Sequence, residues 1–513
     1  MPNRSTDNLF QLIKSLKKAE KRNFKLYITR NSANDDLKIV QLFDALDKMA
    51  HYDETVLLAK QKDIKKQQLS NLKAHLYKEI LSSLRLIKDD HIDMQLHEQM
   101  DHARILYNKG LYLQSLKVLD KMKEMARAYH QFTYLQQVLF FEKKIEALFI
   151  TRSIQDRAEA LSAEAEAASQ QLALVTRLSN LSLQLYGWYI QHGHARNPED
   201  NAAVDGFLQQ SLPLHTDKAT GFYERLYLYQ CRAWHAFIRL DFLQYYRYTQ
   251  KWVSLFDAEP SMREAETGHY IKGMHNLMGA HFNLGNPKGL AAAIAQFEAF
   301  AQTPLVQQNN NNSIQVFIYL HTAKINLHFL KGRFDEGLQL VPTIEAGLEE
   351  HELYLDRHRI LIFYYKIACL YFGSGDSETA IDYLNKIIQQ KGNLRTDLQC
   401  YARLLHLIAH YELGNLELLE YLTKSVYRFM LGMQSLSRVE EAIFRFLRTA
   451  LKAQPGSLQP LFTELLARIK PYQHNRYETR AFVYLDIVSW LESKILGVPV
   501  QEVVRGRSYN KKP

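Results

Sequence analysis

The chain has 513 residues and a formal net charge of +9 at pH 7; 47% of its residues are hydrophobic and 23% are charged. These fractions are typical of a folded globular protein and exclude an intrinsically disordered chain. No apolar run reaches the roughly 18 residues of a membrane span, and the first residues become charged where a signal peptide needs an apolar core. Cys231, Cys369 and Cys400 lie far apart in apolar stretches, so we expect reduced thiols and a cytoplasmic protein.

The positive charge is concentrated at the two ends of the chain. Residues 1–90 carry a net charge of +6 and residues 505–513 carry +4, whereas the remaining residues are close to neutral, at −1. A surface that attracts phosphate groups through net charge is therefore expected only at the ends of the chain.

Residues 1–90 are predicted to form a small, basic helical head that closes the N-terminal end of the structure. Thr6 can cap a first helix, the stretch 31–36 is rich in Asn and Asp and interrupts the helical pattern, and a short helix begins near Asp53. A longer helix covers about 65–87. Its apolar residues recur every three to four positions, as in a buried stripe that we expect to pack against the following repeats: Leu69, Leu72, Leu76, Ile80 and Leu84.

From about residue 91 to 475 a pattern recurs with a period of about 43 residues: an aromatic-rich helix, a turn and a second amphipathic helix. Its clearest copy is residues 367–388. The turn glycines are Gly110, Gly285, Gly332, Gly375 and Gly414, with an equivalent turn at 240–242 and weaker turns near Ser153, Gly193 and Gly456. A fixed period of this length is typical of a solenoid, in which each unit buries its apolar face on its neighbours. No segment alternates with period two, so the predicted fold class is all-α.

Within one unit the pattern resembles the tetratricopeptide repeat. Around Gly375 the large, small, aromatic, small and apolar positions of that repeat are held by Tyr364, Ala368, Tyr371, Ala380, Leu384 and Ile387. The small position of the second helix is kept at Gly337 and Ser115 but lost at Leu290 and Leu419. The period exceeds the usual 34 residues by about nine, or about one extra turn for each helix. The chain thus resembles degenerate, long-helix bacterial members of this group, and the resemblance implies a right-handed α-solenoid of stacked antiparallel helix pairs.

Several segments are predicted to lie outside the repeated helices. Loops between repeats are expected at 194–206, 257–264 and 303–313, and the four asparagines at 309–312 are expected to form an exposed, mobile loop. Residues 476–504 contain a helix predicted to cap the C-terminal end of the solenoid. Residues 505–513 are predicted to be a basic, disordered tail.

The segment 221–256 is unusually rich in aromatic residues interspersed with arginine. One interpretation is packing between long helices; the other is a concave groove that binds an acidic peptide, since Tyr, Trp and Arg are enriched at binding hot spots. The candidate partner-binding residues are Tyr223, Arg225, Tyr227, Arg232, Arg239, Tyr245, Arg247 and Tyr248.

No local motif for catalysis, metal binding or cofactor binding is present, so none is predicted. Glycine-rich phosphate loops, GxSxG and CxxC are missing from the sequence. His97 and His102 are five residues apart, whereas a helical zinc pair needs four. His406 and His410 have that spacing, but they occupy core positions of a repeat, and we expect a buried pair.

Two functional hypotheses follow. The first is a non-catalytic scaffold or adaptor that binds a protein or peptide on the concave face of the solenoid. The second is a transcriptional regulator whose head contains a helix-turn-helix variant and whose solenoid senses a ligand or peptide. Lys65, Lys66, Lys73 and Lys78 would then contact DNA phosphates, although a solvated basic face is the more common meaning of such lysines.

Overall fold

The computed structural model describes residues 7–30, 36–61, 63–87, 91–148, 156–213, 220–352, 354–390, 396–432, 437–453, 458–475, 477–478, 482 and 486–510. Every regular element in these ranges is a helix and no β-strand occurs in them, which confirms the all-α prediction. The chain divides into two compact units, Met1–Val118 and Leu119–Pro513. Thr6, Ser153 and Gly456 lie outside the described residues.

The first unit contains the predicted head and the helices that follow it. Asp7, one residue after the predicted cap, begins the first helix, because its side chain accepts a hydrogen bond from the backbone N–H of Phe10. The helices of this unit are α1 Asn8–Ser15, α2 Lys18–Arg30, α3 Asp36–Lys48, α4 Glu54–Lys60, α5 Lys66–Arg85, α6 Ile92–Asn108 and the first part of α7, Tyr112–Ala128.

The head has a hydrophobic core of its own. Leu69, Leu76 and Ile80 on α5 are buried together with Phe24 of α2 and Phe43 of α3, whose rings lie 4.8 Å apart. The apolar stripe of α5 is therefore as buried as its spacing predicts. It packs in the core of the head, against α1, α2 and α3, whereas we expect from the sequence that it packs against the following repeats.

The second unit is a succession of helices that pack in neighbouring pairs along the chain. After the end of α7 these are α8 Phe132–Glu146, α9 Arg157–His192, α10 Pro198–Ser211, α11 Phe222–Ile238, α12 Phe242–Ala258, α13 Met262–Ala265, α14 Thr267–Asn283, α15 Pro287–Ala301, α16 Pro304–Gln307, α17 Asn310–Lys331, α18 Phe334–Leu338, α19 Val341–Glu350, α20 Arg357–Ser374, α21 Ser377–Ile388, α22 Thr396–Glu412, α23 Leu416–Gly432, α24 Arg438–Ala450 and α25 Leu458–Ile469. A 3-10 helix, Lys470–His474, and two further α-helices, Ile487–Leu496 and Val500–Asn510, complete the unit.

The turns between paired helices lie where the glycine pattern places them. All five predicted turn glycines have φ between 60° and 100°, the left-handed region that ends a helix at little cost for glycine. The turn at 240–242 uses Leu240 instead, with φ 59°. Gly193 also has a positive φ and ends α9.

Two segments differ from their predicted conformation. Residues 157–192 form the single 36-residue helix α9, because this alanine-rich stretch contains no proline and no glycine before Gly187. The asparagines 309–312 do not form a loop: Asn309 caps α17, and the buried Asn312 donates a hydrogen bond of 2.8 Å to the Leu305 carbonyl. The first three asparagines are exposed, as expected. Helices α10, α13 and α16 also occupy parts of the predicted inter-repeat loops.

The C-terminal segment folds back onto helices far away in sequence. The helix Val500–Asn510 continues through most of the predicted disordered tail and packs against α17 and α20. Contacts of its arginines with other helices explain why this segment is helical rather than disordered. Arg505 Nε donates a hydrogen bond of 2.8 Å to the Gly332 carbonyl, and Arg507 pairs with Glu492 at 2.6 Å. The expected C-terminal cap is therefore two helices, the second of which lies on the middle of the unit.

Candidate functional site

Two of the candidate aromatic residues, Tyr223 and Tyr245, are buried in contacts between helices. The Tyr223 hydroxyl donates to the Glu266 carboxylate and accepts from Gln131 Nε2 at 3.0 Å. The Tyr245 hydroxyl donates to Asn276 Oδ1 at 2.8 Å. The burial of both residues favours the packing interpretation over the groove interpretation, because both hydroxyl groups are already used inside the protein.

Two of the candidate arginines are also engaged. Arg225 forms an ion pair with Glu259 at 3.0 Å, and Arg239 forms one with Asp205 at 3.2 Å. Arg247 is exposed, whereas the other three candidates are half-buried: Tyr227, Arg232 and Tyr248. Neither Arg232 nor Arg247 has a carboxylate within 4 Å among the residues that the structure describes. These four residues remain candidates for partner contacts.

The structure brings together three cations that the sequence analysis did not select: Lys272 on α14, and Arg359 and Lys366 on α20. All three are half-buried, and no carboxylate of the described chain lies within 4 Å of any of them. We call these three residues the cation cluster.

Aromatic rings take the place of counterions in the cation cluster. Lys272 Nζ lies 5.4 Å from the ring centroid of Tyr186. The Arg359 guanidinium lies 5.4 Å from the ring centroid of Tyr319 and donates to the Tyr319 hydroxyl at 3.4 Å. Such contacts recover part of the solvation that burial removes, but they leave the positive charge unneutralised.

The imidazole of His275 stacks on Tyr319 with the ring centroids 4.0 Å apart, and all three residues of the cation cluster act on its charge. Burial lowers the pKa of His275 to about 3, and the charges of Arg359, Lys272 and Lys366 act in the same direction. His275 is therefore neutral at pH 7. The facing sides of α14, α17 and α20 thus form a region of positive charge suited to an anionic group.

The cation cluster was missed because nothing in the local sequence marks it. Lys272 and Lys366 are single charges within apolar helical stretches, and Arg359 lies near the start of its helix. Only the packing of α14 and α20 against α17 places them around one histidine. A run of consecutive Lys and Arg residues, the usual sequence signal of an anion-binding surface, does not include these three residues.

His406 and His410 form a buried pair, as expected from their positions in the repeat. Their Nε2 atoms are 3.3 Å apart, and Asn415 lies 3.0 Å from Nδ1 of His410. Burial, followed by the neighbouring His410 and Arg403, lowers the pKa of His406 to about 4. Across the described ranges, no three His, Cys, Asp or Glu side chains gather as a metal site would require.

In the head, three of the four candidate lysines are exposed: Lys65, Lys66 and Lys78. Lys73 differs, because it forms an ion pair with Asp7 and donates a hydrogen bond of 2.7 Å to the Tyr52 hydroxyl. Its ammonium also lies 4.5 Å from the Tyr52 ring centroid. Lys73 therefore joins α5 to the start of α1, and these contacts make its ammonium less available to a phosphate than those of the other three lysines.

None of the helices in the described ranges combines the length and the apolar character of a membrane-crossing segment. No protein-family model matches the sequence, and no curated protein matches it significantly.

Proposed function

We propose that this chain is a non-catalytic scaffold or adaptor that binds a protein or peptide partner bearing acidic side chains. The single observation that carries the proposal is the cation cluster, three half-buried cations without a carboxylate partner in the described chain. A partner carboxylate would supply the missing counterion, and charged groups of this kind give specificity as well as affinity.

The binding surface in this proposal belongs to a right-handed, tetratricopeptide-like α-solenoid. The packing of helices in neighbouring pairs and the recurring left-handed turns support that architecture. The half-buried Tyr227, Arg232 and Tyr248 are residue types common at hot spots and are further candidates for partner contacts. The three free cysteines support a cytoplasmic location.

The test is selection of peptides from a random display library on the full-length chain. We expect enrichment of Asp and Glu, and selected peptides should bind at least about tenfold more weakly to a variant carrying Lys272→Met and Arg359→Gln. Lys288→Met, at an exposed lysine of α15, is the matched control and should bind as the wild type does. Peptides without acidic enrichment, or full binding to the folded double variant, would contradict the proposal.

A second candidate function is DNA binding by the head within a transcriptional regulator. The observation that favours it is the exposed start of α5, with Lys65 and Lys66 solvent-accessible while Leu69 is held in the core. A mobility-shift assay on the full-length chain at increasing salt tests it. Binding should weaken steeply with salt and be reduced by Lys65→Glu with Lys66→Glu. Absence of binding at low salt would exclude this function.

A further inference from the structure

The second unit contains a cavity of about 260 Å³ with mostly apolar walls and one cationic residue, Lys366. The residues that line its apolar part include Phe237, Phe242, Phe282, Phe329 and Ile362. Aromatic walls with a single charged group are typical of sites for small organic ligands, in which the charge fixes orientation.

A second cavity, of about 280 Å³, shares part of this wall. Phe282, Phe329 and Cys369 line both, and the second cavity continues to Leu405 and to Val500 of the last helix. Each is slightly smaller than the about 300–1,000 Å³ common for ligand pockets. The two cavities adjoin at this shared wall, and the second is lined by a carboxylate, Asp486.

Lys366 is held in a defined position at this site. Its Nζ donates a hydrogen bond of 2.5 Å to Asn326 Oδ1 and lies 5.8 Å and 5.6 Å from the ring centroids of Phe282 and Phe329. An ammonium group has three N–H donors, and Asn326 takes one. Protein atoms surround the side chain closely, yet part of its surface stays accessible because it lines the cavity.

The protonation states leave the cavity positively charged. Burial lowers the pKa of Lys366 to about 8, so the amine is still mostly protonated at pH 7. Burial raises the pKa of the Cys369 thiol to about 12, so this neighbour stays neutral and supplies no counterion. No carboxylate lies among the residues that line this first cavity.

We propose that the cavity binds an apolar monocarboxylate, whose carboxylate accepts hydrogen bonds from Lys366 while its apolar part packs between the phenylalanines. One cation matches a single negative charge, whereas a phosphate group normally needs several donors or cations. The carboxylate has two possible sources, a free organic acid or the C-terminal residue of a peptide with an apolar side chain. The peptide source rests on the proposed function, and the free-acid source does not.

Calorimetric titration of the full-length chain tests the inference. The probes are 3-phenylpropionate and its neutral amide, and a pentapeptide ending in phenylalanine with a free or an amidated C terminus. We expect one of the two acids or both to bind, and each matching amide to bind at least about tenfold more weakly. Lys366→Met should lower the affinity for the acid by a similar factor, whereas Lys288→Met should leave it unchanged.

Each outcome of the titration has one meaning. Binding of phenylpropionate supports a free organic acid, and binding of the free-terminus peptide alone supports a peptide terminus. Failure of both acids, equal binding of acid and amide, or undiminished binding by a folded Lys366→Met variant would overturn the inference. The comparison of each acid with its amide uses the wild-type protein. It therefore shows whether the carboxylate is recognised even if the Lys366→Met variant does not fold. Failure here would leave the proposed binding of acidic side chains at Lys272 and Arg359 untouched.

Discussion

The ammonium group of Lys366 on α20 donates a 2.5 Å hydrogen bond to Oδ1 of Asn326 on the facing helix α17. Asn326 supplies a dipole but no negative charge, so it orients the lysine without neutralising it. A lysine that is surrounded by protein and lacks a counterion lowers the stability of the empty protein. This cost is the basis of our first prediction.

Replacing Lys366 by Met should stabilise the protein at neutral pH. The pKa of Lys366 is lowered from 10.5 to about 8, so between these values the unfolded chain binds more protons than the folded one. The stability of the wild type therefore rises as the pH increases through this window. Lys366→Met should raise the free energy of unfolding by up to about 3 kcal/mol at pH 7. The stability of this variant should not show the wild-type increase with pH. Urea unfolding at several values between pH 7 and pH 10 measures both effects.

The control for this measurement is Lys288→Met, which changes an exposed lysine on α15. We expect its unfolding curves to follow those of the wild type throughout. If Lys366→Met were less stable than the wild type at pH 7, the packing of the lysine stem and its bond to Asn326 would outweigh the buried charge.

Glu142 on α8 should be indispensable to the stability of the second unit. It is fully buried and forms ion pairs with Lys123 and Arg157, of which Lys123 is itself buried. Glu142→Gln removes the nearest counterion of both cations and leaves them only more distant carboxylates, Glu164 at 3.4 Å from Lys123 and Glu146 at 3.6 Å from Arg157. We therefore expect a loss of about 3 kcal/mol in the free energy of unfolding, measured by urea unfolding. Glu420→Gln, in an exposed pair with Lys424, is the control and should leave the curve unchanged. Equal curves for both variants would mean that the buried pair adds no net stability.

The protein should lose stability in acid through the half-buried His275. The pKa of His275 is lowered from 6.5 to about 3, so between these values the unfolded chain binds more protons and stability falls as the pH falls. His275→Phe keeps an aromatic ring against Tyr319 and removes this titration. Between pH 7 and pH 5 the variant should lose about 2 kcal/mol less than the wild type. His102→Phe, at an exposed histidine of α6, should show the wild-type dependence.

Gly375 should tolerate asparagine better than alanine. Its φ is 100°, and a Cβ at this position would meet no atom within 4 Å, so the cost of substitution is backbone strain alone. We expect Gly375→Ala to lower the free energy of unfolding by about 1–2 kcal/mol, and Gly375→Asn by less, because Asn visits the left-handed region more readily. Gly373→Ala is a contrasting case, since its Cβ would come within 2.4 Å of the Phe334 ring. Equal stability of the two Gly375 variants would contradict this explanation.

The parts of the fold set by local interactions could be predicted from the sequence. Apolar spacing identified the helices, and glycines such as Gly285 and Gly414 marked the left-handed turns. Whether an aromatic residue lies in a groove or in the core could not be predicted, because helices that contact neighbours on two sides carry apolar residues around much of their surface. Tyr245 and Tyr248 are three residues apart on α12, yet the first is buried and the second is half-exposed.

Sites built by contacts between distant segments also escaped prediction. The cation cluster depends on α14 and α20 meeting at α17, and no spacing rule links such positions. The C-terminal arginines looked like a solvated tail because their acceptors, Glu492 and the Gly332 carbonyl, lie in other elements.

The bond from Arg505 to Gly332 joins positions 173 residues apart and so changes how the second unit should come apart. An array whose helices touch only their chain neighbours can fray from its free end one pair at a time. Here the terminal helix Val500–Asn510 packs against α17 and α20. We therefore expect that the helix pairs after α20 cannot unfold separately until the terminal helix has detached. The stretch between the two tied positions should therefore melt as one cooperative block, and not in steps.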